Sequence, residues 1–269
     1  VAKYTKKRAR ELKQDKFRDT TMRLFDRFGD RLAGKGRAIL YGIAAIIVIA
    51  VIAGLVVRWT HRKADEARAA LGRGIAITSA QVSSSPAPGS SSQSFSSEQE
   101  RAQKAIDEFQ KVVAKYGDPY RSQARYFIAS NQLYLDRNKG ISELSELSNN
   151  GIKEVAVLSK FALANAREAD GKFEEASALY KDIAAAGSNV VTPESANLRL
   201  ALVYGKQGKK KEASDLLFNL VDAARKARDG EGNPVPQSMA ARDAAQELEK
   251  IDPARYQQLT PEPPRDLPF

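Results

Sequence analysis

The chain has 269 residues, a formal net charge of +10, a single histidine and no cysteine, which removes thiol nucleophiles, cysteine-rich metal sites, disulfides and histidine acid–base chemistry within a folded domain. The charge is unevenly placed: residues 1–63 hold 16 Lys/Arg against 5 Asp/Glu, and residues 64–269 hold 27 against 28. A nearly neutral main domain has no electrostatic footprint for DNA or RNA, so no nucleic-acid partner is expected.

Residues 1–37 form a basic arm with 13 Lys/Arg against 5 Asp/Glu. Phe17, Leu24, Phe25, Phe28 and Leu32 recur at helical spacing, with Arg18, Arg23, Arg27 and Arg31 between them. That pattern reads as a basic amphipathic helix lying on an anionic lipid leaflet. A charged tail that only sets membrane topology fits the same residues.

Residues 38–58 read as a transmembrane helix. Ala38 to Val57 are twenty residues without a charge, and at about 1.5 Å each they span roughly 30 Å, the hydrocarbon thickness of a bilayer. Tyr41 and Trp59 lie near the two ends at headgroup level, and Arg37 and Arg58 bracket the run. Moving positive charge outward against a membrane potential costs about 2.3 kcal/mol per charge per 100 mV. The arm is therefore placed in the cytoplasm and the rest of the chain outside the inner (plasma) membrane, periplasmic or extracytoplasmic; in a Gram-negative cell outside means the periplasm.

Residues 59–78 continue as a juxtamembrane helix, and the Ser/Pro-rich stretch 79–97 reads as a flexible linker. Residues 98–251 are helical text punctuated by turns. Asp118-Pro119, Thr192-Pro193 and Asp252-Pro253 each set a capping side chain before a proline, the preferred start of a helix. Gly171 and Gly208 stand 37 residues apart between helical patterns. Around the first lie Leu163, Ala164, Phe173, Ala176, Tyr180 and Ile183; around the second, Leu200, Ala201, Tyr204, Ala213, Leu217 and Leu220.

Small residues at helix crossings and large ones between pairs describe stacked antiparallel helix pairs. The pattern looks like the tetratricopeptide repeat, with Ala164, Gly171, Ala176 and Tyr180 at its small, glycine, alanine and aromatic positions; in the second unit Lys210 stands where an aromatic is usual. Ala105, Phe109 and Val112 resemble the second helix of an earlier pair whose first helix is Ala64–Thr78, and Gln123–Leu135 with Ile141–Leu147 resembles another. Met239–Ile251 reads as a terminal helix covering the open end. The tail, residues 252–269, is expected to be extended or disordered from Thr260. The fold class expected is all-α: an amphipathic arm, one transmembrane helix and an α-solenoid of tetratricopeptide-like pairs.

The order of a basic arm containing Glu11-Leu12-Lys13-Gln14-Asp15-Lys16-Phe17, one span and a degenerate repeat domain resembles the bacterial ancillary subunit of the SecYEG translocon, the YfgM-like family. The resemblance implies a periplasmic repeat domain near the secretion channel, working with membrane-anchored chaperones on emerging polypeptides.

In such repeats the first helices line a groove. The groove positions expected are Tyr126, Ser130, Leu133 and Tyr134 from one pair, Leu158, Phe161, Asn165 and Glu168 from the next, and Leu198 and Leu202 from the third. They would suit an extended or amphipathic peptide, and the same stripes would serve equally as core. Asn165 has no Lys and Asn partners in register, so a clamp for a chaperone C-terminus is not expected. Lys172 with Glu174 and Glu175, and Lys209–Lys211 with Glu212, read as solvated helix faces. The chain is read as a non-enzyme, without catalytic, metal or cofactor-binding residues, whose partners are proteins and membrane lipids.

Overall fold

The computed structural model describes residues 36–83 and 94–262. Phe17, Leu24, Phe25, Phe28 and Leu32 of the arm lie outside the described residues, as does the side chain of Arg37. The chain divides into two compact units, residues 1–64 and 65–269.

Helix α1 is Gly36–Thr78. From Tyr41 to Val57 its apolar run is uncovered: Ile46 is 67% exposed, Ile49 65% and Leu55 62%. It is long and apolar enough to cross a membrane by length and composition. A core helix of a soluble domain would bury one face; this one buries none of its apolar window within the molecule. Trp59 lies under the Lys63 ammonium, 3.7 Å from the ring centroid, and Arg58 is exposed.

The second unit is all-α. After two short strands, β1 (Gln81–Val82) and β2 (Ser94–Phe95), come α2 (Glu98–Lys115), α3 (Tyr120–Gln132), α4 (Arg137–Leu147), α5 (Lys153–Ala169), α6 (Phe173–Ala186), α7 (Pro193–Lys206), α8 (Lys210–Lys226), α9 (Met239–Ile251) and α10 (Pro253–Tyr256). Each helix from α2 to α9 packs on the next, and α3 also touches α5 as α7 touches α9. Alternate helices therefore share a face, which is the geometry of a stack of helix pairs.

Local chemistry sets the boundaries. Ser97, Asp136, Thr192, Ser238 and Asp252 each accept a backbone N–H from the first turn of the following helix. Asp118 serves α3 in the same way, with Oδ1 accepting from the Ser122 N–H at 3.1 Å. Gly171 and Gly208 adopt φ of +73° and +76°, the left-handed region that glycine enters without penalty. Both turns close identically: the Lys172 N–H donates to the Arg167 carbonyl and the Lys209 N–H to the Tyr204 carbonyl, each at 2.9 Å. The α3–α4 turn lacks such a glycine. There Gly140 lies inside α4, where a Cβ would come within 2.8 Å of the Leu133 backbone nitrogen.

The core is a chain of clusters. Phe109, Ala105, Val112 and Ala124 pack with Ala70 and Leu71 of α1; Ala129, Leu144, Leu147, Val155 and Leu163 follow. Next come Ala164, Ala176, Tyr180, Ile183, Leu200 and Val203, then Ala201, Leu217, Val221, Ala244 and Leu248.

Two further segments join the packing. The end of α1 packs on α2 within the second unit, the pair expected from Ala64–Thr78 with Ala105, Phe109 and Val112, and residues 79–97 connect the two helices. Within that stretch Gln81 and Val82 pair in parallel with Ser94 and Phe95, and Phe95 is buried. The physical reason is that Ala67, Ala70 and Leu71 present a small-residue face to Phe109, which would otherwise be exposed. Residues 252–262 also pack on the stack, residues 263–269 lying outside the described residues: Leu259 is buried, Asp222 Oδ1 accepts from the Thr260 hydroxyl at 2.6 Å, and Arg225 donates to the Thr260 carbonyl at 2.7 Å.

Candidate functional site

The shared face of α3, α5, α7 and α9 carries two clefts. The first, about 400 Å³, is lined by Tyr126, Ser130, Leu133 and Tyr134 together with Asn165, over a floor of Ala162, Ala166 and Ala169. Its rim is braced by Arg137, which donates to Asp170 Oδ1 at 2.7 Å and to the Ala166 carbonyl at 2.8 Å. Tyr134 is half exposed, at 50%. Burial pushes the Tyr126 phenol above its ordinary range.

The second cleft, about 540 Å³, contains Glu168 and Leu202 and is completed by Arg199, Lys206, Lys210, Leu217 and residues of α9. Of the remaining positions expected in a groove, Leu158 and Phe161 are partly buried against the Tyr180 cluster. Leu198 packs on the cluster that includes Leu217 and Leu248.

Between the clefts a polar node ties α5, α6 and α7 together. The buried Glu168 carboxylate accepts from Arg199 Nη2 at 2.9 Å and from the Tyr180 hydroxyl at 3.1 Å through Oε2, and from Lys206 Nζ at 2.7 Å through Oε1. Asn165 Oδ1 accepts from the Tyr180 hydroxyl at 2.6 Å and from Arg199 Nη2 at 3.0 Å. Phe161 meets the Tyr180 ring edge-on at 5.8 Å between centroids.

Burial is the main cause that pushes the Tyr180 phenol up to about 12; the Arg199 charge pulls it back and the Glu168 carboxylate pushes it further. Burial opposes the Arg199 charge, but Tyr180 and Glu168 outweigh it and hold the guanidinium above its ordinary value. Glu168 and Tyr180 are buried while Arg199 and Lys206 stay partly exposed, so the bonds to the buried acceptor are charge-assisted but screened on their outer side.

Asn165 thus does have a cationic partner, Arg199, 34 residues along the chain. Sequence register missed it because the partner comes from the next helix pair and is an arginine. The available signal was that Arg199 is the one charge inside the apolar text Ala196–Tyr204.

No family model matches the chain, and no curated protein matches it. Among solved structures it is similar to the nearly identical TPR-like repeats of a Podosopora anserina protein assigned as a kinesin light chain, and to a point variant of that protein. Each shares 20% identity over 60% of this chain and 82% of that chain, with a TM-score of 0.45. The repeat character rests on the chain's own geometry, two glycine turns of one hydrogen-bond pattern and alternate helices sharing a face. The second unit is a stack of tetratricopeptide-like helix pairs, and the chain adds to it a helix apolar enough to span a membrane.

Proposed function

We propose that the chain is a membrane-anchored protein–protein interaction module. Its apolar helix sits in the inner membrane, the basic arm lies on the cytoplasmic leaflet, and the repeat unit works in the periplasm, holding partner or client polypeptides at the membrane surface beside the Sec translocon. One observation supports this reading above others: the face shared by α3, α5, α7 and α9 carries two clefts, lined by apolar and polar side chains together. The uncovered apolar run of α1 supports the anchor, since each Ile or Leu left in water forgoes about 1.5–3 kcal/mol of burial.

Photocrosslinkers placed at Tyr134 and Leu202 in intact cells test it. The expected products join the chain to translocon subunits or translocating polypeptides. Crosslinks confined to lipid, or none above those from an exposed convex position such as Lys211, would refute it.

A second reading, a fixed accessory subunit of another membrane complex, is supported by the same uncovered α1 side chains, which offer a surface to a neighbouring span as readily as to lipid. Exchanging Ala38–Val57 for an unrelated apolar span separates the two. A tethered module keeps its crosslinks, and a fixed subunit loses its complex.

A further inference from the structure

The second cleft is charged in a way that the fold does not need. Four cations, Arg199, Lys206, Lys210 and Lys250, line it with two carboxylates, Glu168 and Glu247. Glu168 is spent internally, since Arg199, Lys206 and Tyr180 all donate to it. Glu247 reaches only Lys250, at 3.4 Å. Lys210 has no ion-pair or hydrogen-bond partner among the described residues. The cleft therefore presents excess positive charge at its mouth.

Lys210 is also poorly placed for stability. It opens α8 between Lys209 and Lys211, where the helix dipole and unpaired N–H groups favour acidic side chains and oppose cations. A residue that breaks a local rule without an internal partner marks a site used for something other than folding. Beneath these cations the cleft is apolar, with Leu202, Leu217 and Ile251 in its lining.

We infer that this cleft takes an acidic, amphipathic segment of a partner protein. A carboxylate of the segment pairs with Lys210, with Lys206 and Lys250 at its flanks, and an apolar side chain of the segment covers Leu202 and Ile251. The inference rests on the interaction-module reading and adds the chemistry of the partner. Lys206 and Lys250 are 52% and 69% exposed, so they reach an incoming chain without repacking, and the attraction falls as salt rises.

The test uses the full chain in lipid nanodiscs and fluorescent twelve-residue peptides that share leucines at every third or fourth position and carry Glu, Gln or Lys at the others. Fluorescence polarisation is expected to show the Glu peptides binding at least about tenfold tighter than the Gln peptides, with Lys peptides weakest. The difference should shrink severalfold between 50 and 500 mM salt. The double variant Lys210→Glu, Lys250→Glu, whose surface positions leave folding intact by circular dichroism, should reverse the order. Equal binding of Glu and Gln peptides, or an unchanged order in the variant, overturns the inference while leaving the interaction reading standing. Absence of binding by every peptide overturns it as well, and the crosslinks from Tyr134, in the other cleft, then decide the broader reading independently.

Discussion

Gly74 lies directly against the ring of Phe109: a Cβ on Gly74 would sit 2.5 Å from Phe109 Cε1 and 2.6 Å from Cζ. Phe109 is fully buried and stacks on Phe127 at 4.8 Å, with the rings 6° from parallel. The close approach is what lets α1 join the repeat stack, because no other residue type leaves the ring its place.

Two glycines two residues apart should therefore respond with opposite sign. Replacing Gly in a helix by Ala gains about 0.8–1 kcal/mol of propensity, and overfilling a packed core loses about 1–3 kcal/mol. Gly74→Ala is expected to destabilise the repeat unit by about 1 kcal/mol net. Gly72→Ala, with open space around its Cβ, should stabilise by about 0.5–1 kcal/mol. Urea unfolding followed by circular dichroism measures both, and a gain for Gly74→Ala would show that the α1–α2 contact is absent.

Glu168 should matter more than any surface ion pair. Its side chain is 6% exposed while Arg199 retains 36%, so removing the carboxylate strands a guanidinium that water reaches only in part. The loss expected for Glu168→Gln is about 1–3 kcal/mol, below the 3–5 kcal/mol of a fully buried pair because Arg199 and Lys206 are partly rehydrated. Adding Arg199→Met to Glu168→Leu should recover much of the loss, since a hydrophobic replacement of both partners removes the stranded charge. A double-mutant cycle with no coupling would contradict the node.

Alkaline unfolding should report Tyr180. Its phenol is pushed up to about 12 from an ordinary value near 10, so between those values the folded state holds a proton that the unfolded state releases. The stabilisation is complete below about pH 10 and is lost as pH rises through 12. The check is the urea midpoint across that interval, where Tyr180→Phe should flatten most of the decline; Tyr126, raised in the same direction by burial, accounts for a remainder. A midpoint independent of pH in wild type would contradict the buried phenol.

The apolar run of α1 gives a fourth prediction. A charge at the bilayer centre costs about 2.5–3.5 kcal/mol on insertion scales. Ile46→Arg together with Ile49→Arg should move a large share of the chain from the membrane pellet to the carbonate-extractable fraction. Full retention in the pellet would mean that lipid does not hold this helix.

The features legible in advance were the ones written in short stretches of sequence. The apolar text before Arg58 marks a helix long enough to cross a bilayer, and Thr192-Pro193 and Asp252-Pro253 mark helix starts. Gly171 and Gly208 mark turns of one geometry. The groove was less legible: Tyr126 and Tyr134 line one cleft with Asn165, while Leu158, Phe161 and Leu198 are partly buried against the core clusters. Nothing in a 3.6-residue period separates an apolar side chain that fills a core from one that floors a cleft.

Sequence alone determined the helices, their caps and the repeat, because those depend on hydrogen bonds closing within about five residues and on the period of apolar side chains. Tertiary structure decided that Leu259 closes the end of the stack and that Glu168 gathers Tyr180, Arg199 and Lys206 from 12 to 38 residues away. Such contacts are set by how successive pairs are rotated and spaced, and that rotation is a sum over many packed side chains with no single local signature.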